Sequence, residues 1–197
     1  MRRLWALPLL LLLLACGGES ASLPPAAGSA SPANIRPRMQ DLHSPPPMTI
    51  DPNRSYTATI HTKKGDIVIR LDPKAAPVTV NNFVFLAGGH YYDGLSFHRY
   101  EPGFVIQGGD PLGNGTGGPG YRLPNETNPA PWVKGSVGMA SNAAGVNGSQ
   151  FFILLGDAPS LAGSGVYNHF GNVTAGQDVA AAIRQGDVID SITIAEQ

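Results

Sequence analysis

The chain has 197 residues, 42% of them hydrophobic and 14% charged, with 13 Lys and Arg against 14 Asp and Glu for a net charge of −1. No basic run or patch appears, which argues against a nucleic-acid partner. A single cysteine, Cys16, excludes an intrachain disulfide, and five scattered histidines without paired spacing give no support to a metal site.

Residues 1–16 read as a leader. Arg2 and Arg3 precede an apolar run from Leu4 to Ala15, short for a membrane span and suited to a signal core. The run ends in Leu13-Leu14-Ala15-Cys16, which resembles the lipobox of bacterial lipoprotein precursors, where the cysteine becomes the lipidated first residue. A plain secretory signal with an incidental cysteine is the alternative. Loss of Arg2 and Arg3 leaves a net charge near −3. Residues 17–54 read as a tether, because Pro, Ser, Ala and Gly dominate and little could form a core. The remaining residues, 55–197, suit one domain.

Within that domain, Tyr56 to His61 and Asp66 to Leu71 alternate around β-branched residues, and Lys63-Lys64-Gly65 between them predicts a hairpin turn. Pro77 opens a predicted helix with Val80, Phe83, Val84 and Ala87 on one face and Gly88 at its end. Short strands are predicted at 95–100, 104–107, 135–140, 150–155, 167–172 and 188–194. A second helix is predicted over 175–185, with Thr174 and Gln177 as a capping box and Gly186 as its stop. The domain holds 22 of the 25 glycines, mostly between these strands. Many short strands and only two helices predict an antiparallel barrel or sandwich, and closure would remove the exposed edges.

Most candidate chemistry fails on spacing. The run 113–120 is rich in glycine but lacks the Lys-Ser/Thr ending of a phosphate loop and no helix pattern follows it, so it reads as structural. No Gly-x-Ser-x-Gly elbow supports a serine nucleophile. Glu101, Asp110 and Glu126 sit near Gly or Pro, where turn roles are common. Two stretches stand out instead. In "SFHRYEPGFVIQGGD", Glu101-Pro102-Gly103 predicts a tight type II reversal between apolar arms, yet Arg99 and Gln107 lie in those arms. In "GSVGMASNAAGVNGSQFFILL", Gln150, Phe152 and Leu154 share one strand face while Phe151, Ile153 and Leu155 share the other. A strand apolar on both faces predicts double burial, with Gln150 at a rim where its amide finds a partner.

Taken in order, "FHRYEPGFVIQGGD", "GNGTGG", "GMASN", "NGSQFFI" and "YNHFGNV" strongly resemble the cyclophilin family of peptidyl-prolyl cis-trans isomerases, over essentially the whole domain. The resemblance implies a mainly β fold: a closed eight-stranded antiparallel β-barrel capped by two α-helices, with its site in a shallow outer groove. Carried over by motif, Arg99 is the catalytic arginine. Phe104, Val105, Gln107, Ala140, Ser141, Gln150, Phe152, Leu161 and Tyr167 are the substrate-binding residues. Of these, Phe104, Val105, Phe152, Leu161 and Tyr167 form the proline pocket, Gln107 orients Arg99 or the substrate, and Gln150 and Ser141 hold substrate backbone. Val105, Ser141 and Tyr167 stand where many relatives carry Met, Asn and His. Relatives usually have an aromatic at the position of Ser160, and the loop 162–166 is about two residues longer here, so weak inhibition by cyclosporin-type compounds is expected.

The implied reaction needs no cofactor and no metal, and the implied substrates are proline-containing polypeptides. A monomer is expected, exported and held to the bacterial cell envelope by lipid on Cys16, assisting the folding of exported or envelope proteins. A proline-directed binding module or holdase with incidental isomerisation is the competing reading; a pure binder, however, has no need of the Arg99 guanidinium. Strict alternation would put Phe104 and Gln107 on opposite faces, so Phe104 is expected to belong to the end of the turn, with strand pairing starting after it. His98, which alternates away from Arg99, reads as structural.

Overall fold

The computed structural model describes residues 42–162 and 164–197. The expected leader with Cys16, and positions 17–41 of the expected tether, lie outside the described residues.

The domain is built on a strongly curled antiparallel sheet. Strands β1 (Tyr56–Thr62) and β2 (Gly65–Leu71) form the predicted hairpin around Lys63 and Lys64. Their alternation places Ala58, Ile60, Ile67 and Ile69 inward with no exposed surface. Helix α1 (Pro77–Gly88) follows, with Pro77 in its first turn and Val80, Phe83 and Ala87 buried against the sheet. The next strands are β3 (Arg99–Glu101), β4 (Val105–Gly108), β5 (Arg122–Leu123), β6 (Ser136–Asn142) and β7 (Gly145–Leu154). A 3-10 turn (Pro159–Leu161), β8 (His169–Ala175), α2 (Gln177–Ala182) and β9 (Ile189–Glu196) complete the domain. The spatial order is β3-β4-β7-β6-β8-β2-β1-β9, and the two-residue β5 pairs with β7 beside this path.

Eight strands on the path agree with expectation, but the closed barrel does not. The end strands β3 and β9 do not pair as strands. Strand β3 is only three residues long, so the seam falls to the chain ahead of it: Ser96 and Val188 form an isolated bridge. Phe97 N donates to Asp187 O at 2.8 Å, and Ile189 N donates to Leu95 O at 2.8 Å.

Two apolar clusters share this sheet. The larger fills the inside of the curl, where Phe83, Tyr92, Phe97, Phe151 and Phe170 meet at centroid distances of 5.2–6.4 Å. The smaller lies outside, around Val105, Trp132, Phe152, Leu154 and Ala158. Strand β7 serves both, as its double apolar pattern predicted: Phe151 and Ile153 face inward, Phe152 and Leu154 outward.

Two expectations are corrected. The second helix is shorter than 175–185 and has no capping box: Thr174 lies in β8, and the cap residue is Gly176 in the left-handed region (φ 77°) with no side-chain bond. Only glycine fits there, because a Cβ would fall 2.0 Å from the Asp66 carbonyl oxygen. The helix ends at Ala182, and Gly186 belongs to the loop that donates to Phe97 O at 2.9 Å.

The described part of the expected tether, 42–54, is docked. Asn81 of α1, 1% exposed, accepts from Thr49 N (2.8 Å), Thr49 Oγ1 (3.1 Å) and Ile50 N (3.3 Å). Its amide nitrogen donates to Pro47 O at 3.0 Å, while Ile50 enters the main core and Leu42 N donates to Pro119 O at 3.0 Å. Prolines carry no N–H, but their carbonyls remain acceptors, and one buried asparagine satisfies this segment from the helix side.

Candidate active site

The turn Glu101-Pro102-Gly103-Phe104 sets the site's upper edge. Gly103 has φ 70° and Phe104 N donates to Glu101 O at 3.1 Å, as a type II turn requires. Strand β4 starts at Val105, so Phe104 belongs to the turn, as expected. Pairing then sets Arg99 opposite Gln107 and Glu101 opposite Val105, with Tyr100 and Ile106 on the core side.

On the neighbouring strand, β7 leaves β6 between Gln150 and Val146: Met139 pairs with Phe151, but Ser141 already pairs with Val146. Asn147 supports this bulge, its Oδ1 accepting from Ser149 N (2.9 Å) and Gln150 N (3.0 Å). The displaced stretch turns Gln150 toward β4. A directional chain of amides results. Arg99 Nη1 donates to Gln107 Oε1 (3.2 Å), and Gln107 Nε2 donates to Gln150 Oε1 (2.9 Å). Gln150 Nε2 then donates to the carbonyls of Gly115 (3.1 Å) and Gly117 (2.8 Å). The glycine-rich run is therefore a structural loop that anchors this chain. The Asp110 carboxylate shapes it by accepting from Leu112 N, Asn114 N and Gly115 N.

Arg99 is held from its other side by a residue that sequence reasoning gave a turn role. Glu101 Oε1 accepts from Arg99 Nε (2.9 Å) and Nη2 (2.5 Å), and the guanidinium carbon lies 5.9 Å from the Phe104 ring centroid. A guanidinium has five N–H donors in a fixed plane, so these three bonds orient it and leave the remaining donors for a ligand.

All but one of the residues carried over by motif line one groove of about 170 Å³ beside this arginine, including Ala140 and Ser141 at the β6 end and Leu161 on the 3-10 turn. Gln150 is the exception. Expected to hold substrate backbone, it is 2% exposed behind Gln107, and its amide is used within the chain. Phe152 and Tyr167 meet edge-to-face at 5.6 Å in the groove wall.

Trp132 was missed altogether. It is buried behind Phe152, its ring stacked on that of Phe152 with centroids 5.5 Å apart. It sits in a proline-rich loop without periodicity, where its ring size is the only signal. Ser160 is exposed on the 3-10 turn.

Two histidines flank the site, and the ring nitrogens of His98 have no hydrogen-bond partner among the described residues. His98, half-buried behind Arg99, has its pKa lowered chiefly by burial and also by Arg99, against the opposing pull of Asp110. His169, 3% exposed beneath Trp132, has its pKa lowered by burial, opposed in part by Asp72 and by hydrogen bonding with Asn172.

An apolar pocket beside an oriented cation suits a ligand with a compact apolar ring next to a hydrogen-bond acceptor. Among the described residues that line the groove, Arg99 is the only charged group.

Comparison with known proteins agrees. The sequence profile described as cyclophilin type peptidyl-prolyl cis-trans isomerase/CLD matches residues 57–196. A peptidyl-prolyl cis-trans isomerase of Helicobacter pylori is 47% identical over 139 residues, 68% of this chain and 84% of the relative. Peptidyl-prolyl cis-trans isomerase B of Bacillus subtilis is 47% identical over 130 residues, 65% and 90% of the two chains. Among solved structures, a cyclophilin type peptidyl-prolyl cis-trans isomerase of Cryptosporidium parvum superposes with a TM-score of 0.66 at 31% identity, covering 73% of this chain and 99% of that one. The same protein in the presence of the dipeptide Ala-Pro gives a TM-score of 0.65 at 31% identity over 72% of this chain and 99% of that one. On this evidence the chain belongs to the cyclophilin type peptidyl-prolyl cis-trans isomerases.

Proposed function

We propose that isomerisation takes place in the groove beside Arg99, and that the protein does this work on the extracytoplasmic side of a bacterial envelope. The observation that carries the first part is the guanidinium held between Glu101 and Gln107 next to an apolar pocket. Rotation about a peptide bond is opposed by about 18–20 kcal/mol of resonance, while the two Xaa-Pro isomers differ by only about 0.5–1 kcal/mol. A catalyst therefore has only to favour the twisted state. The pocket holds the prolyl ring while the preceding carbonyl turns. The remaining Arg99 donors meet the prolyl nitrogen as its lone pair localises, which withdraws that lone pair from resonance. Each 1.4 kcal/mol of such preferential stabilisation gives about tenfold in rate. Gln107 keeps the guanidinium in place, and Ser141 at the β6 end meets substrate backbone.

The test is cis-trans exchange in a Xaa-Pro peptide with wild type and Arg99→Ala. Loss of acceleration with peptide binding retained is expected; equal acceleration by both proteins would remove Arg99 from the mechanism. Peptide binding without any acceleration by wild type would favour the holdase reading instead.

The envelope assignment rests on the leader: Arg2 and Arg3, the apolar run, and a sole cysteine at the end of Leu13-Leu14-Ala15-Cys16. Lipid on Cys16 would tether the domain to a membrane and present it to exported proline-containing chains. Cys16→Ser is expected to move the protein out of the membrane fraction, and unchanged membrane association would refute the anchor.

A further inference from the structure

Trp132 does not itself line the groove, yet two residues that do, Phe152 and Tyr167, pack on its ring, and the chain leading to Leu161 is bonded to its backbone. Its ring stacks on Phe152 at 5.5 Å with 24° between planes, and Tyr167 meets it edge-on at 6.3 Å and 79°. From below, His169 meets it at 4.9 Å and 80°. Its carbonyl accepts from Ala158 N at 2.9 Å, immediately before the 3-10 turn that carries Leu161. The indole is 5% exposed. Space for it comes from Gly138 in β6: a Cβ there would lie 2.6 Å from both Trp132 Cη2 and Phe152 Cζ.

Stacked and edge-on rings have preferred geometries, so the indole restricts the tilt of Phe152 and Tyr167 together. The chain before the 3-10 turn is fixed to the same residue by its backbone. From this we infer that Trp132 is a positioning residue of the proline pocket: it sets the spacing of Phe152, Tyr167 and Leu161, and through them how tightly the prolyl ring is held. The inference rests on the groove being the proline site. A residue acting this way governs substrate affinity more than the turnover of bound substrate, because its ring packs on the apolar rings of the pocket, whereas the guanidinium is held by Glu101 and Gln107.

The chain holds two tryptophans, Trp5 and Trp132, so the full chain carrying Trp5→Phe emits from Trp132 alone. An Ala-Pro tetrapeptide titrated into this protein is expected to shift or quench that emission, saturating at the concentration that half-saturates isomerisation. In the same background Trp132→Leu should raise KM about fivefold, the weight of a lost aromatic pair, with kcat within about twofold of its parent. Trp132→Phe, which keeps a stacking ring, should recover most of that KM. Active Trp5→Phe protein whose emission ignores the peptide would overturn the inference while leaving the groove intact as the site. So would a Trp132→Leu variant with unchanged KM, including one whose apparent kcat falls only by its unfolded fraction. Trp5→Phe protein that neither binds nor isomerises the peptide would overturn the groove reading as well.

Discussion

Glu101 and Arg99 sit on the same short strand, two residues apart, and one carboxylate oxygen of Glu101 accepts from both Nε and Nη2 of the guanidinium. The two side chains are 49% and 44% exposed, so the pair adds at most about 1 kcal/mol to folding and is screened by salt. Its effect falls on orientation instead. Glu101→Ala is expected to lower kcat/KM by about threefold to tenfold, with the thermal midpoint nearly unchanged. The deficit should shrink as ionic strength rises, because salt weakens the same contact in wild type. Identical salt profiles for the two proteins would show that Glu101 does not orient Arg99.

The amide chain predicts a different signature for Gln150. Leucine at this position leaves Gln107 Nε2 and the Gly115 carbonyl without their partner, while the Gly117 carbonyl keeps only its bond from Asn147 Nδ2. Gln150→Leu should therefore cost about 1–3 kcal/mol in urea unfolding and also lower kcat, since Gln107 becomes free to rotate away from Arg99. Amide exchange in the loop 113–120 should speed up in parallel. Stability equal to wild type would mean the chain carries no weight.

Glu126 separates stability from activity. From the loop before β6 it accepts from Val78 N (2.8 Å), Thr79 N (2.8 Å) and Thr79 Oγ1 (2.7 Å), and α1 has no acidic residue of its own in its first turn. A carboxylate on the free N–H groups of a helix start is favoured by hydrogen bonding and by the helix dipole. Glu126→Ala should cost about 1–2 kcal/mol in denaturant unfolding while KM and kcat stay close to wild type. A large change in KM at unchanged stability would contradict this division.

Acidification should weaken the fold through His98 and His169. Burial lowers both pKa values in the folded chain, whereas the unfolded chain titrates near about 6.5. Below that pH the unfolded state binds protons that the folded state refuses. Stability is thus fully present above about pH 6.5 and falls as pH drops toward the folded-state values, by at most about 1.4 kcal/mol per pH unit for each histidine. His169→Val should flatten this slope in urea unfolding compared between pH 7.5 and 5. An unchanged slope would exclude His169 as a contributor.

What was legible in the sequence follows the range of the forces involved. The β1–β2 hairpin, α1 and the Glu101–Phe104 turn depend on local alternation and turn chemistry, and their residues announce them. Phe104 could be assigned to the turn because alternation forbids it to share a face with Gln107. The misread features depend on contacts far along the chain. Thr174 and Gln177 have capping-box spacing, but β8 continues through Thr174 against β2, and the Asp66 carbonyl leaves room only for glycine at 176. Residues 42–54 have tether composition, and their docking hinges on Asn81, which in sequence is one more polar helix residue. Trp132 and the inward turn of Gln150 needed the β7 bulge and the gap at Gly138, neither of which has a local pattern. The groove residues were legible only through family motifs, since nothing in their spacing joins Arg99 to Tyr167.

Strand β7 places its fold-forming and groove-forming side chains at alternating positions, Phe151 and Ile153 on one face and Phe152 and Leu154 on the other. Substitutions on the two faces therefore act on separate packing environments, and the two sets of properties can be altered independently. An engineer could reshape the groove wall at 152 without opening a cavity among the rings around Phe151, and could harden that inner core without touching the groove. Drift under selection has the same freedom: new substrate preferences can be tried on one face of a strand whose other face keeps the protein folded.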